Sequence, residues 1–415
     1  MTRQSQGSTW QSSSYFSQKM GQSENSLNFE RLTGVYVFFH RLIGVLPLEN
    51  RDFSFPCCRM LLIYFVFIGL LNSALFLRYC VIRIMQGVVE VDSIFVMVMA
   101  VSTIMRYYIL VYHRFDFRDT MDACRVIWND CTPNEHQIVR WFERKTWMLF
   151  KLLAGSGMFI NVFCSIGSIV VRLPPDEPNG TERRLLPYRW FIEDREYHWL
   201  GYELIFGLQV LITHHLTVIA ATVDTAGPLL MMISCGFFKA LQERFFAAAA
   251  RNEMILCKDK LEFKQTIVSC SKFHQSVLVL CKKIEVMTRM IFMVQLICLG
   301  YNISLIGLKL TGTDPERFQY IPNLVLCLCQ LFITQWASDY LLEQSEEVAT
   351  AAYFATLMSL DARIGGLLLT MVIRAQKPVQ MTAGGVIKLS IERFGSLITN
   401  AISFFMVLRN FTTQV

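Results

Sequence analysis

Few side chains in this sequence are arranged for chemistry, and most of those lie inside apolar stretches. Seven histidines (His40, His113, His136, His198, His214, His215 and His274) are spread along the chain, without the dense clustering that holds metal ions. His214-His215 precedes Asp224 by ten residues in one apolar run. A polar ligand contact, a proton relay and hydrogen bonding between helices are all open to these groups. No phosphate-cradling glycine loop, serine nucleophile elbow or paired carboxylates stand out, so neither enzymatic chemistry nor a cofactor is expected. Arg106 interrupts another apolar run, where it is expected to snorkel or to hold an acidic partner near the cytoplasmic face. One periodic set is more informative. Ser396, Thr399, Asn400, Ser403 and Val407 recur at three- and four-residue steps, on one face of a helix. Leu397, Ile398, Ala401, Phe404, Phe405 and Leu408 fall largely on the others. A narrow polar stripe on a spanning helix lines water when several subunits each contribute one helix. Small polar residues also glue helices together, and spacing alone leaves both readings open.

The elements that must carry these residues are transmembrane helices. The 415 residues are 53% hydrophobic and only 17% charged, against about 25% charged in an ordinary soluble chain. Lipid must therefore cover much of the surface. The net charge of +6 reads as membrane topology and not as nucleic-acid binding, because Lys and Arg cluster between apolar segments. The 13 cysteines include no CxxC pair and sit mostly in apolar runs or basic loops. That suits small buried hydrophobes better than disulfides or metal ligands.

A spanning helix needs about 20 mostly apolar residues. Such runs fall at 60–77, 93–112, 152–171, 200–238, 290–308 and 318–338. The fourth is long enough to project beyond the bilayer. A short piece, 364–373, ends at Lys377-Pro378, and a last piece, 383–408, follows. Pro378 and Gly384-Gly385 are expected to break any continuous helix between them. Residues 1–28 are polar and without a signal-peptide core, hence expected to be disordered and cytoplasmic. Residues 29–44 suit a short amphipathic or re-entrant helix against the membrane.

The expected fold class is thus all-α, a polytopic membrane protein with seven transmembrane helices. Lys and Arg are denser in the loops on the N-terminal side of the membrane, which puts the N-terminus in the cytoplasm and the C-terminus outside. The sequon Asn179-Gly180-Thr181 then lies outside, making Asn179 a candidate glycosylation site. Asn302-Ile303-Ser304 is set aside because it lies within a span, and Asn410-Phe411-Thr412 because it lies too near the bilayer.

Residues 339–415 resemble the signature region of insect odorant receptors. Arg374-Ala375-Gln376-Lys377-Pro378-Val379-Gln380-Met381-Thr382-Ala383-Gly384 is similar to that family's Arg-x-Gln-Lys-Pro…Thr-Ala-Gly element. Leu389-Ser390-Ile391-Glu392-Arg393-Phe394 and Ser403-Phe404-Phe405-Met406-Val407-Leu408 resemble its final pore helix, and Gly44-Val45-Leu46-Pro47 adds a fainter likeness upstream. Leu357, Gly385 and Ile402 depart from the family's common residues, as in a divergent member.

The resemblance implies a tetrameric non-selective cation channel whose last helices surround one pore. It implies a six-span ligand-binding bundle at 29–345, a cytoplasmic anchor segment at 346–382, and a pore-lining helix with a short extracellular tail at 383–415. Ser396, Thr399, Asn400 and Ser403 would line the pore, with an apolar gate at Val407 and Phe411 that blocks ions by dewetting. A small volatile odorant would bind in the extracellular half, among the second, third, fourth and sixth spans. Phe95, Met99, Phe159, Phe163, Tyr202, Phe206, Tyr320 and Asn323 lie there, offering apolar surface with few polar handles. The family's co-receptor carries a long insertion between the fourth and fifth spans, which this chain lacks. The resemblance therefore implies a tuning subunit, assembled with the olfactory co-receptor (Orco) as a heterotetramer in the plasma membrane of a sensory dendrite. A gustatory-type channel working without co-receptor is a second reading, although the motif that often ends such chains is missing. A membrane transporter is a third, for which no internal repeat is seen.

Overall fold

The computed structural model describes residues 29–30, 32–46, 56–86, 91–170, 172–173, 183–184, 186–187, 199–254, 260–311, 320–357 and 362–413. Helix carries nearly all of them. In chain order these are α1 (29–30 and 32–42), α2 (Pro56–Met85), α3 (Val91–Tyr112), α4 (Arg114–Asn129) and α5 (Pro133–Val170). A two-residue antiparallel ladder follows, β1 (Arg172–Leu173) on β2 (Arg183–Arg184). Then come α6 (Trp199–Met254), α7 (Lys260–Thr311), α8 (Ile321–Leu357) and α9 (Ala362–Ala375). A second ladder pairs β3 (Thr382–Ala383) with β4 (Ile387–Lys388), and α10 (Ile391–Thr413) closes the chain.

Among the described residues, α2, α3, α5, α6, α7 and α8 are long and apolar enough to cross a membrane. At 23 residues, α10 measures about 34 Å, enough to be a further span. In lipid every backbone N–H and C=O must be satisfied within the segment, so continuous helix is the structure such runs adopt. The chain is an all-helical multi-pass membrane protein. Its helices overrun the apolar segments. The fourth span's expected projection is seen in the 56 residues of α6, or about 84 Å, and α5, α7 and α8 extend in the same manner. These extensions are rich in Lys and Glu, so an apolar-run criterion passes over them.

The last helix begins at Ile391, later than the expected 383. Gly384 and Gly385 both take positive φ (64° and 78°) and turn β3 back on β4. The Gly384 N–H donates to the Arg289 carbonyl of α7 at 2.8 Å, and the Thr382 hydroxyl donates to Glu285 at 2.7 Å. The segment is thus tied across to α7 before α10 starts.

Residues 221–238 of α6 are buried on every face, which makes this stretch the central post of the bundle. Close approach there needs small residues. A Cβ on Gly236 would lie 2.9 Å from the Val139 Cα of α5, so no larger side chain fits without separating the two helices. α1 docks on the bundle through Phe29, Leu32, Tyr36, His40 and Ile43, a helical face whose opposite side exposes Val35, Phe38 and Leu42. His40 stacks on Phe117 and donates from Nδ1 to the Tyr36 carbonyl. Burial pushes its pKa down to about 4, so it is neutral when docked.

One polar layer crosses this apolar interior. Arg106 of α3 is ion-paired with Asp224 of α6, and both side chains are buried. The pairing half of the expectation for Arg106 therefore holds, and the arginine does not snorkel. Its Nε also donates to the Ser102 carbonyl at 3.2 Å. Gln330 of α8 donates to the other Asp224 oxygen at 3.1 Å. Gln295 of α7 donates to the Gln330 carbonyl at 3.3 Å and accepts from Thr334 at 3.2 Å. Four helices meet at this level.

Removing one partner of a buried ion pair leaves an uncompensated charge, at a cost of about 3–5 kcal/mol. Asp224→Leu and Arg106→Met are each expected to lower the melting temperature of the detergent-solubilised protein markedly, and the double variant to recover most of the loss. Thermal unfolding followed by size-exclusion fluorescence checks this. A double variant as unstable as the two losses added would show that the charges are not coupled.

Candidate functional site

The eight residues expected to line a ligand site gather at one end of the bundle, where α3, α6 and α8 begin and α5 ends. Six of them turn inward or partly inward. Phe95 is buried in the apolar core, with Met99 one turn later packed against it. Tyr202 is buried, and its ring stacks on half-buried Phe206 at 6.0 Å. Tyr320 and Asn323 are half-buried at the start of α8, with the Lys309 ammonium 5.9 Å from the Tyr320 ring centre.

Phe159 and Phe163 stack on each other at 6.3 Å but turn outward, 65% and 54% exposed. They are one turn apart on the exposed side of α5, so the helical period turns both away from the bundle together. The inward residues of α5 at this level are Gly157, Ile160 and Asn161. The Asn161 amide donates to Thr217 Oγ1 at 2.6 Å and to the Thr213 carbonyl at 3.3 Å, which fastens α5 to α6.

The hydrogen bonds of His214 and His215 stay within α6, while the His215 ring meets Tyr64 and Phe65 of α2 at 6.1 and 5.9 Å. Each donates from Nδ1 to the carbonyl one turn back, Val210 and Leu211 respectively, at 2.7 Å. Among the described residues no three His, Cys, Asp or Glu side chains are placed to hold a metal. Asn179 lies outside the described residues.

A residue passed over in the sequence is Asn302 of α7, set aside there as an unusable sequon. It is fully buried, and both Oδ1 and Nδ2 lack a hydrogen-bond partner among the described residues. The signal that could have found it is its spacing, seven residues after Gln295 and thus on the same helix face.

On α10 the polar stripe faces away from the chain's own bundle. The inner side is set by Ala401, whose carbonyl accepts from the Ser304 hydroxyl of α7 at 3.0 Å. Phe405 packs over Gly307, and Phe394 meets Phe332 of α8 at 5.6 Å. Thr399, Asn400, Ser403 and Val407 point the other way and are exposed, while Ser396 is half-buried. The Ser396, Thr399 and Ser403 hydroxyls all donate to carbonyls of α10 itself, at 3.0–3.2 Å. None of these three bonds glues α10 to another helix of this chain. The backbone at Phe411 is helical, and its side chain lies outside the described residues.

The 7tm odorant receptor family description matches residues 87–402. Odorant receptor 30a of Drosophila melanogaster is 20% identical over 327 residues, covering 77% of this chain and 82% of that receptor. Odorant receptor 10 of Aedes albopictus is 34% identical over 84 residues, 20% of this chain and 22% of that one. Two solved structures of the olfactory receptor OR5 from Machilis hrabei share the fold. The complex with eugenol has a TM-score of 0.68 at 12% identity, covering 93% of this chain and 98% of that one. The structure without it has a TM-score of 0.70 at 12% identity, covering 91% and 96%.

On the outward side of α10 the polar stripe is flanked by exposed Ile402, Phe404 and Met406, whereas Ala401 on the inner side is buried. Thr399→Cys and Ser403→Cys are expected to react readily with a charged, membrane-impermeant thiol reagent, and Ala401→Cys to stay protected. Equal protection at all three positions would mean that the polar face meets protein or lipid instead of water.

Proposed function

This chain belongs to the insect odorant receptor family, and on that premise we propose that it is the ligand-binding subunit of a heteromeric odorant-gated, non-selective cation channel. The observation that carries the channel reading is the exposed polar face of α10, whose inner side is fully engaged by α7 and α8. A spanning helix with Thr399, Asn400 and Ser403 turned away from its own bundle leaves those side chains in lipid, unless equivalent helices of other subunits enclose water beside them. Val407, on the same face, would provide the apolar gate with Phe411 one turn beyond. Widening such a constriction lets water back in, and ions follow.

The ligand would be a small volatile molecule held among Phe95, Met99, Tyr202, Phe206, Tyr320 and Asn323, with Phe159 and Phe163 facing lipid. That a protein of the same fold was solved in complex with eugenol supports a small-molecule ligand. The charge asymmetry of the loops supports a cytoplasmic N-terminus and an extracellular C-terminus. The α6–α7 connection, 255–259, leaves no room for a long insertion at that point, which supports a tuning subunit working with the co-receptor Orco in a plasma-membrane heterotetramer. In this reading α9 and the lower ends of α5, α6, α7 and α8 form the cytoplasmic anchor, α8 continuing unbroken through 345 to Leu357.

Whole-cell current under an odorant panel tests the reading, with the chain expressed alone and with an insect olfactory co-receptor. Currents are expected only on co-expression. Currents from this chain alone would favour a self-sufficient, gustatory-type channel. Flux of a substrate without channel current would favour a transporter. Val407→Ser, which hydrates the proposed constriction, is expected to raise ligand-free current in co-expressing cells, and an unchanged baseline would move the gate elsewhere.

A further inference from the structure

The ligand site as outlined is almost wholly apolar, and Asn302 is the group that does not fit an apolar site. A buried polar atom without a partner costs roughly 1–3 kcal/mol, so native structures seldom leave one. Asn302 leaves both its amide oxygen and its amide nitrogen in that state among the described residues, at zero exposure.

Its direction follows from α7. Gln295, seven residues earlier, lies on the same face and reaches Gln330 and Thr334 of α8 in the polar layer. Asn302 therefore points into the bundle about 10 Å farther along, on the side away from Ser304, which bonds α10. α3 and α8 run opposite to α7. Seven residues back from Arg106 is Met99, and seven back from Gln330 is Asn323. Both belong to the expected ligand site, so Asn302 stands at its level, approached from a helix that supplied none of the expected residues.

We propose that Asn302 is the polar recognition group of this site, and that the site takes volatiles bearing a hydroxyl group, namely alcohols or phenols. This rests on the ligand-binding reading above. A ketone, ester or ether only accepts, so it would satisfy Nδ2 and leave Oδ1 buried and empty. A hydroxyl both donates and accepts, and it can answer either side of the amide. A hydrocarbon answers neither.

The test compares the wild type with Asn302→Leu, nearly the same shape without the amide, each expressed full-length with the co-receptor. The probes are alcohols, their methyl ethers and the parent hydrocarbons, matched over several chain lengths and one aromatic series. The wild type is expected to respond to an alcohol at about tenfold lower concentration than to its ether. Asn302→Leu is expected to erase that difference by losing alcohol sensitivity alone. No alcohol preference in the wild type, or an equal shift for all three probes in the variant, overturns the assignment and leaves the receptor reading intact.

Thermal unfolding of the same complexes in detergent gives a readout independent of current. Without ligand, Asn302→Leu is expected to melt at or above the wild type, and alcohol to stabilise only the wild type. A variant that melts well below the wild type would assign the amide a structural role and overturn the proposal. If no probe evokes current from surface-expressed wild type, the melting data still decide. Stabilisation by alcohol but not by hydrocarbon upholds Asn302 while defeating the channel reading, and no stabilisation defeats both.

Discussion

Arg106 and Asp224 are two charges that the membrane interior will not tolerate separately, and the arrangement of the bundle follows from their meeting. The pair joins α3 to α6, Gln330 brings in α8, and Gln295 with Thr334 closes the circuit to α7. In lipid the hydrophobic effect gives helices no reason to associate, so polar contacts and close packing decide which faces meet. The pair sets register as well as contact. Once these five side chains share a level, every other residue on those helices has a fixed height. Pro228, which has no N–H to offer the Asp224 carbonyl, leaves the backbone polar at the same place.

The layer divides the molecule by packing. Toward the start of α6, side chains along the helix alternate between buried and open positions, with Tyr202 buried and Phe206 half-buried. Beyond Asp224, α6 disappears into the protein for four turns, and Arg244 binds Glu135 in a two-bond pairing with Asp130 beside it. A closely packed half supports a more open one. That is a workable division for a receptor, because a site that must admit a ligand cannot be the part that holds the fold together.

α10 belongs to neither half. Among the described residues it is held from one side, through Ser304 to Ala401 and, just before it starts, Gln335 to the Ser390 N–H and Ser338 to the Leu389 carbonyl. These contacts come from α7 and α8, the two helices that also carry Gln295, Gln330 and Asn302. The structure thus contains a continuous run of packed and hydrogen-bonded groups from the interior of the bundle to the helix with the outward polar face. Contiguity is what such a run supplies, and a difference between two states is what would make it a coupling path.

The apolar runs and their lengths were sufficient in the sequence to establish a helical multi-pass protein, because a bilayer leaves a backbone no other choice. The stripe from Ser396 to Val407 was equally legible, since a helix has one period and one face per stripe. The helical extensions of α5, α7 and α8 were not, for charged amphipathic turns look the same whether they continue a helix or leave it. Nor was the late start of α10, which depends on Gly384 reaching the Arg289 carbonyl of a distant helix. The facing of individual residues was settled by packing. Phe159 and Phe163 carry the same chemistry as Phe95 and Phe206, yet they turn outward because α5 presents Ile160 and Asn161 to α6. Asn302 reads in the sequence as a misplaced sequon, and only the packing of α7 buries its amide without a hydrogen-bond partner among the described residues. Composition and period are local properties that the chain states by itself; which faces meet, and at what height, depends on partners far away in sequence, and that was decided when the helices packed.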